Sequence, residues 1–326
     1  MKLFIRKEIN NEYRAPLIPE DCGKLVCAGY EIFVEHSKNR CFSDEEYLRN
    51  GCELVNKPPD SAIIIGLKEI TNPDFYRFKN MYFAHCYKNQ SNAKNILSQF
   101  AKNNGVIYDY EYIVDADNKR LIAFGFWAGF MGTCLGICQY LQKINSGEDL
   151  NNLKPIRSHE ILEILYKVPF RVNIGIIGIN GRCGQGCRSV LDKLMLEYKS
   201  HTRGCQFDLY DCDIIINCIH LKPYSQDVFI SKDNLHRFPN LKVIVDVSCD
   251  VNASNNPIQL DYKVTNIYKP VCKYKHIDII AIDNLPTLLP KESSTEFSHK
   301  LVELIPNKDI WDNLEVLFRT HSRINV

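Results

Sequence analysis

Two α/β units with Rossmann-like parallel sheets, and a cleft between them, are the fold class this sequence predicts. Three observations predict it. Short apolar runs rich in β-branched and aromatic residues alternate with helical stretches through the first third of the chain. A second series of such runs begins after a long uncharged segment. That second series opens on Val172-Asn-Ile-Gly-Ile-Ile-Gly178, an apolar run that feeds into a cluster of glycines. At 326 residues the chain has room for two domains of ordinary size.

Taken in order, the runs 3–6, 30–34, 62–67, 81–85 and 105–112 are predicted strands. Helices predicted over 21–28, 44–50 and 92–102 separate them. Ser43, before Asp44-Glu45-Glu46, is a good N-cap with acids in the first turn. Such alternation implies a mostly parallel sheet covered on both faces. Residues 121–142 carry no charge, a length that could span a bilayer. Gly125, Gly129, Gly132 and Gly136 step by four, three and four, so they line one helix face. The α/β pattern on both sides favours a buried helix on which other backbone packs closely. A polar link, 146–155, and a helix over 159–166 lead to strands over 172–178, 213–218, 242–247 and 277–282. Two helices, about 293–304 and 308–319, close the chain and could pack on either half.

The glycine cluster suggests a cofactor. A buried strand that turns on glycines into a helix leaves backbone N–H groups unsatisfied at the helix start. Those donors and the positive end of the helix dipole favour a pyrophosphate. Gly178, Gly181 and Gly184 give Gly-x-x-Gly-x-x-Gly, a looser match than the commoner Gly-x-Gly-x-x-Gly. The acid expected some twenty residues on, to meet the ribose hydroxyls, is Glu197.

Composition narrows the partners. Forty basic and 39 acidic residues leave a net charge of +1, which gives no electrostatic case for nucleic acid or anionic lipid. The 14 cysteines are scattered, with no Cys-x-x-Cys pair and no His partners at zinc spacing, so no metal is expected. Met1-Lys-Leu-Phe-Ile-Arg-Lys-Glu8 has no long apolar core or cleavage site. Buried thiols in a reducing cytoplasm are the expectation.

Ligands of open parallel sheets sit at the carboxyl ends of the strands. Residues 62–67 end in Lys68-Glu69, and 81–84 end in His85. A lysine and a histidine would thus emerge at one edge of one sheet, with Gly66 leaving room beside them. Asp109 and Glu111 close the next strand. Arg14, Lys119 and Arg120 are cations that could hold substrate carboxylates, Arg bidentately. Asp283 follows the last strand of the second half.

At these residues the chain resembles the NAD-dependent, lysine-forming saccharopine dehydrogenases, akin to alanine dehydrogenase and the NAD-binding subunit of transhydrogenase. The resemblance is carried by Arg14-Ala-Pro-Leu-Ile-Pro, Ile63-Ile-Ile-Gly-Leu-Lys-Glu69, Phe83-Ala-His-Cys-Tyr-Lys-Asn-Gln90 and Tyr108-Asp-Tyr-Glu111. Ala123-Phe-Gly-Phe-Trp-Ala-Gly-Phe130, Gly181-Arg-Cys-Gly184, Ile216-Asn-Cys-Ile219, Val245-Asp-Val-Ser248 and Ile282-Asp-Asn-Leu-Pro286 extend it along nearly the whole chain.

The resemblance implies reversible, NAD-dependent oxidation of saccharopine, then hydrolysis of the imine to lysine and 2-oxoglutarate, within lysine biosynthesis. It makes Lys68 the base for the amine and His85 a second acid-base. A lysine base needs a lowered pKa, which burial or the charges of Arg14 and Lys88 could supply. Glu69 and Glu111 would set the local charge. Arg14, Gln90, Arg120, Phe124, Ser248, Cys249 and Asp250 would face the substrate. Lys119, Gly178, Gly181, Arg182, Gly184, Glu197, His201, His220, Ile282, Asp283, Asn284 and Leu285 would contact NAD. The family returns its closing helices to the first domain, giving a substrate domain of 1–125 plus 285–326 and an NAD domain of 126–284. It also brings Cys183 and Cys218 near the nucleotide, where a disulfide between them would hinder NAD. The chain is short, against the family pattern, between the glycine turn and Phe207. A monomer is compatible with the sequence. Two other readings stay open here: a related dehydrogenase such as alanine dehydrogenase, and a non-catalytic NAD-binding regulator.

Overall fold

The computed structural model describes the chain apart from residues 10, 88–91, 169, 203–204, 207–208, 220–227, 252, 254 and 325–326. The chain divides into two compact units, Met1–Ala123 with Pro290–Val326, and Phe124–Leu289.

The first unit is built on β1 (Lys2–Ile5), α1 (Pro19–Cys27), β2 (Glu31–Glu35), α2 (Asp44–Arg49), β3 (Glu53–Val55), β4 (Ile63–Ile65), β5 (Lys79–Tyr82), α3 (Ala93–Lys102) and β6 (Val106–Asp109). Its strands lie in the order β3-β2-β1-β4-β5-β6, all parallel. The order reverses direction between β1 and β4, so the crevice at their carboxyl ends is the topological switch point. Three-residue β3 lies at the edge and has no clear apolar run, which is why periodicity did not reveal it. Ser43 caps α2 in a capping box with Glu46.

The second unit contains α4 (Gly125–Asn145), α5 (Ser158–Tyr166), β7 (Ile174–Ile177), α6 (Arg182–Lys193), β8 (Tyr198–Thr202), β9 (Cys205–Gln206), β10 (Ile214–Asn217), β11 (Ile230–Ser231), β12 (Val243–Asp246), β13 (Ile258–Gln259), β14 (Cys272–Tyr274) and β15 (Ile277–Ile280). Its main sheet runs β14-β15-β12-β10-β7-β8-β9, parallel except for the two edge strands β14 and β9. Alternate residues of the same strands face opposite cores. Ile174, Ile176, Ile214, Ile216, Val243 and Val245 lie in one, Ile177, Ile215, Ile244 and Ile279 in the other. That two-sided burial is why these strands read as continuous apolar runs.

The uncharged segment becomes α4, which starts at Gly125 with Phe124 as N-cap. Its glycines serve two contacts. A β-carbon on Gly129 would strike the main chain of Cys183, and one on Gly186 would strike Phe126, so α4 and α6 meet backbone to backbone. Gly132 and Gly136 instead admit the side chains of Val245 and Val247 from the sheet. Among the described residues no helix is long and apolar enough to cross a membrane. At its other end α4 is stapled to the sheet. Buried Asp278 of β15 accepts from Gln139 at 2.8 Å and pairs with Lys143 at 2.8 Å and Lys273 at 3.2 Å.

The chain then returns to the first unit with α7 (Pro290–Leu304) and α8 (Lys308–Ile324). Ser294 Oγ accepts the Ala15 N–H at 2.8 Å, and Ser298 Oγ accepts that of Ile18 at 2.9 Å while donating to buried Asp21. Glu315 of α8 joins Lys79 at 3.0 Å and Tyr108 at 3.1 Å across β5 and β6.

Candidate active site

Lys68 follows β4 and His85 follows β5, so the two lie at the carboxyl edge of the first sheet, after neighbouring parallel strands. The Phe83 N–H donates to the Leu67 carbonyl at 3.3 Å, which carries the β4–β5 register out to the residues themselves. Lys68 is half-buried and Glu69 exposed. His85 is exposed, with a left-handed backbone at φ 49°. A residue with a β-carbon rarely adopts that region, and such strain gathers at functional positions. Its ring lies nearly parallel to Phe83, with centroids 6.3 Å apart. Phe83 in turn packs on Tyr110 and on Phe297 of α7.

The first strand contributes residues that the sequence reading passed over. Arg6 and Glu8 follow β1 and form a buried ion pair at 3.1 Å, with 5% and 7% of each residue exposed. The Glu8 carboxylate accepts the N–H of Leu67 at 2.6 Å and of Lys68 at 3.1 Å. The Arg6 guanidinium donates to the Lys68 carbonyl. Burial raises the Glu8 pKa, although Arg6 and the Leu67 N–H pull it down. Gly66 is required here, because a β-carbon would run into that guanidinium. Arg14 is also buried and is held bidentately by Glu12, at 2.7 and 2.6 Å. Arg120 pairs with Glu111 at 3.1 Å. Lys119 is exposed on the turn where Asp115 caps its N–H. The strand-end rule that found Lys68 applies equally to Arg6 and Glu8, and is the signal that could have found them.

In the second unit, β7 leads to Gly178, whose φ of 89° needs glycine and whose N–H donates to the His201 carbonyl at 3.0 Å. Gly181 is the N-cap of α6. A β-carbon on Gly184 would enter the main chain of Ile179 and Gly178, so this glycine brings the helix against the turn. A β-carbon on Gly181 would meet only the Gly178 carbonyl oxygen, at 3.5 Å. The turn therefore has the parts of a pyrophosphate cradle: a tight bend, an open approach and a helix N-terminus. The residues present fit a dinucleotide, with Arg182 as the first helical residue.

Beside the turn, the register moves one expected contact. β8 begins at Tyr198 opposite Ile174, and its carboxyl end places His201 opposite Ile177. Glu197 precedes the strand, at the far edge of the sheet, roughly 13 Å along β8 from the level of the glycine turn. It is not at the carboxyl edge where a ribose-binding acid belongs, so the spacing rule picked the wrong end of the strand. His201 is at that edge, edge-on to Phe229 with ring centroids 4.5 Å apart.

The thiol in contact with Cys218 is Cys187, with Sγ–Sγ 3.4 Å. Cys183, one turn earlier on α6, packs against Gly125 instead. Burial pushes the Cys183 thiol up to about 12, and the described cysteines are free thiols.

At the ends of β10 and β12 a buried network fixes the next loop. Asn217 Nδ2 donates to Asp246 at 2.9 Å and to Ser248 Oγ at 3.1 Å, and Ser248 donates to Asp246 at 2.7 Å. The Tyr262 hydroxyl holds the other Asp246 oxygen at 2.7 Å. Cys249 follows in the left-handed region at φ 58°, and Asp250 is exposed. After β15, Ile282 bridges to Thr265, Asp283 is exposed, and Asn284 leads into a 3₁₀ turn, Leu285–Leu288. Phe124 is half-buried. Gln90, His220 and Lys88 lie outside the described residues.

Residues 4–131 match the alanine dehydrogenase/PNT N-terminal domain and residues 153–319 its C-terminal domain. The chain is 35% identical to "Saccharopine dehydrogenase [NAD(+), L-lysine-forming]" of Candida glabrata, covering 95% of this chain and 94% of that protein. It is 32% identical to the protein of the same name from Neurospora crassa, over 97% and 94%. The first alignment runs to 352 positions against a chain of 326, so the relative has residues that this chain lacks. Among solved structures, an L-alanine dehydrogenase matches with TM-score 0.74 at 16% identity, over 97% of this chain and 94% of the other. A transhydrogenase from Sinorhizobium meliloti matches at 0.69 and 15%, over 94% and 93%.

Proposed function

The chain belongs to the alanine dehydrogenase/PNT family and, within it, to the saccharopine dehydrogenases, and from that premise we propose that it cleaves saccharopine to L-lysine and 2-oxoglutarate with NAD. It is an oxidoreductase of that group. The observation that carries the reading is the placement of Lys68 and His85 side by side at the carboxyl edge of one parallel sheet.

NAD, when bound, supplies the hydride acceptor. The chain's own residues handle the protons. Lys68 takes the proton of the secondary amine as the C–H bond breaks and the imine forms. His85 removes a proton from the water that adds to the imine carbon, then returns one to the lysine nitrogen as the carbinolamine C–N bond breaks. In sum, saccharopine, NAD and water give lysine, 2-oxoglutarate, NADH and a proton. Positioned acid-base groups of this type contribute about 10²–10⁴-fold each.

Saccharopine carries three carboxylates, and Arg14 and Arg120 are the cations we assign to them. Each already meets an acid, Glu12 or Glu111, so substrate would share its guanidinium. Gly178, Gly181, Arg182 and Gly184 take the pyrophosphate, and His201 takes the place intended for Glu197 near the ribose. The residues 282–285 would lie along the nicotinamide half. The free thiols suit a reducing compartment, and we assign the enzyme to the cytoplasm as a catalyst of lysine biosynthesis.

Absorbance at 340 nm tests the reading. Saccharopine with NAD should produce NADH, and alanine with NAD should not. Reduction with alanine alone would make the protein an alanine dehydrogenase; reduction with neither would leave a nucleotide-binding protein without this activity. Titration with NADH and NADPH would check the cofactor, with NADH expected to bind more tightly.

A further inference from the structure

We infer that Arg6 and Glu8 are positioning residues for the reaction, a clamp that fixes the main chain on both sides of Lys68. The inference rests on the assignment of Lys68 as the amine base and deepens it. The clamp spans the switch point of the first sheet, from the end of β1 to the end of β4.

Three main-chain groups converge on one buried ion pair. The N–H groups of Leu67 and Lys68 both point to the Glu8 carboxylate, and the Lys68 carbonyl receives Arg6. The peptide bonds before and after Lys68 are therefore both held by charge-assisted hydrogen bonds, which are shorter and stronger than neutral ones. Neighbouring strands hold the rest. The Gly66 N–H donates to Met81 at 2.9 Å, and the Leu67 carbonyl accepts from Phe83 at 3.3 Å. The arrangement has a structural requirement of its own, since Arg6 occupies the space where residue 66 would carry a β-carbon.

A buried ion pair is a weak way to gain stability, since desolvation offsets most of the attraction. The raised pKa of Glu8 shows that offset here. A hydrophobic pair would pack such a site as well, but it could not receive two N–H groups and a carbonyl. What the ion pair gives is a fixed origin for the base, and misplacing a reacting group by about 1 Å can cost about 100-fold in rate.

The test is a double-mutant cycle in the full chain, with Glu8→Gln, Lys68→Met and both together. Glu8→Gln should lower kcat by about 100-fold while the KM for saccharopine and the Kd for NADH stay within about 3-fold. Added to Lys68→Met, it should cause no further loss, because a clamp without its base has nothing to position. If Glu8→Gln lowers the residual rate of Lys68→Met by the same factor as in the parent, Glu8 acts elsewhere and the clamp is overturned. If Lys68→Met alone keeps full kcat, the assignment of the base fails, and with it the premise. Arg6→Lys covers the case in which Glu8→Gln does not fold. It keeps the charge beside Glu8 but loses the guanidinium fork, so kcat should fall by about 10-fold with NADH affinity unchanged; an unchanged kcat would overturn the clamp.

Discussion

The carboxyl edges of the two sheets are built from opposite materials. In the first unit the edge is filled with charge: Arg6 with Glu8, Arg14 with Glu12, and Lys68 beside the first pair. In the second it is built mainly from the glycines and thiols at the start of α6, with the Asn217–Asp246–Ser248 network at the ends of β10 and β12. Two open sheets, both mostly parallel, thus give two kinds of site. A pyrophosphate brings its own charge and needs room and N–H donors, so side chains are removed to admit it. Proton transfer needs titratable groups fixed in place, so side chains are added and their main chain is tied down.

The first way to break this comparison is Lys68→Met. Turnover should fall about 10³-fold, within the range for a lost acid-base group, with NADH binding unchanged by fluorescence titration. An equal loss of NADH affinity would move Lys68 from proton transfer to cofactor binding, and the two edges would no longer differ in kind.

Next comes Gly181→Val. The built β-carbon has room, and the N-cap dihedrals of φ −77° and ψ 168° suit any residue. The protein should fold with its melting temperature nearly unchanged, yet bind NADH about 100-fold more weakly, because the side chain fills the approach to the helix N-terminus. Gly184→Ala separates the roles further, since its β-carbon meets backbone and should lower the melting temperature itself. Tight NADH binding by Gly181→Val would show that the cradle lies elsewhere.

These two edges were not equally legible in the sequence. Lys68 and His85 stood out because buried parallel strands are continuous apolar runs that end abruptly in polar residues. The glycine turn stood out for the same reason. Arg6 and Glu8 did not stand out, because their main-chain partners are some sixty residues away and only the sheet brings them together. Glu197 was misplaced because β8, Tyr-Lys-Ser-His-Thr, has no apolar run to mark where it starts. Its register comes from pairing with β7 on one side and β9 on the other, which is tertiary information. The helix α4 was legible as buried, but not the division of its glycines between α6 and the sheet.

A smaller effect tests the frame behind the second edge. Asp278→Asn should lower stability by about 2 kcal/mol, because Lys143 and Lys273 lose their shared carboxylate at the end of α4. Burial raises the Asp278 pKa, but Lys143, Gln139 and Lys273 outweigh it, so the net shift is downward. NADH affinity should stay where it was. A large change in affinity would mean that the position of α4 reaches the glycine turn through α6, and that the frame and the cradle are one device.

The smallest effect belongs to Glu315, which ties α8 to β5 and β6. Burial alone would raise its pKa, but Arg319, Lys79 and Tyr108 hold it down at about 2, from an ordinary 4.5. A carboxylate with a depressed folded-state pKa contributes stability above its unfolded value, and that contribution disappears as pH falls from about 4.5 to about 2. Glu315→Gln should therefore be less stable than the parent near neutrality, by about 0.5 kcal/mol for a partly exposed group, and should unfold at acid pH with a shallower dependence. If the two proteins keep the same difference in stability from pH 6 to pH 3, the ion pair contributes nothing, and packing of Trp311 on Tyr108 is what holds the closing helix to the charged edge's sheet.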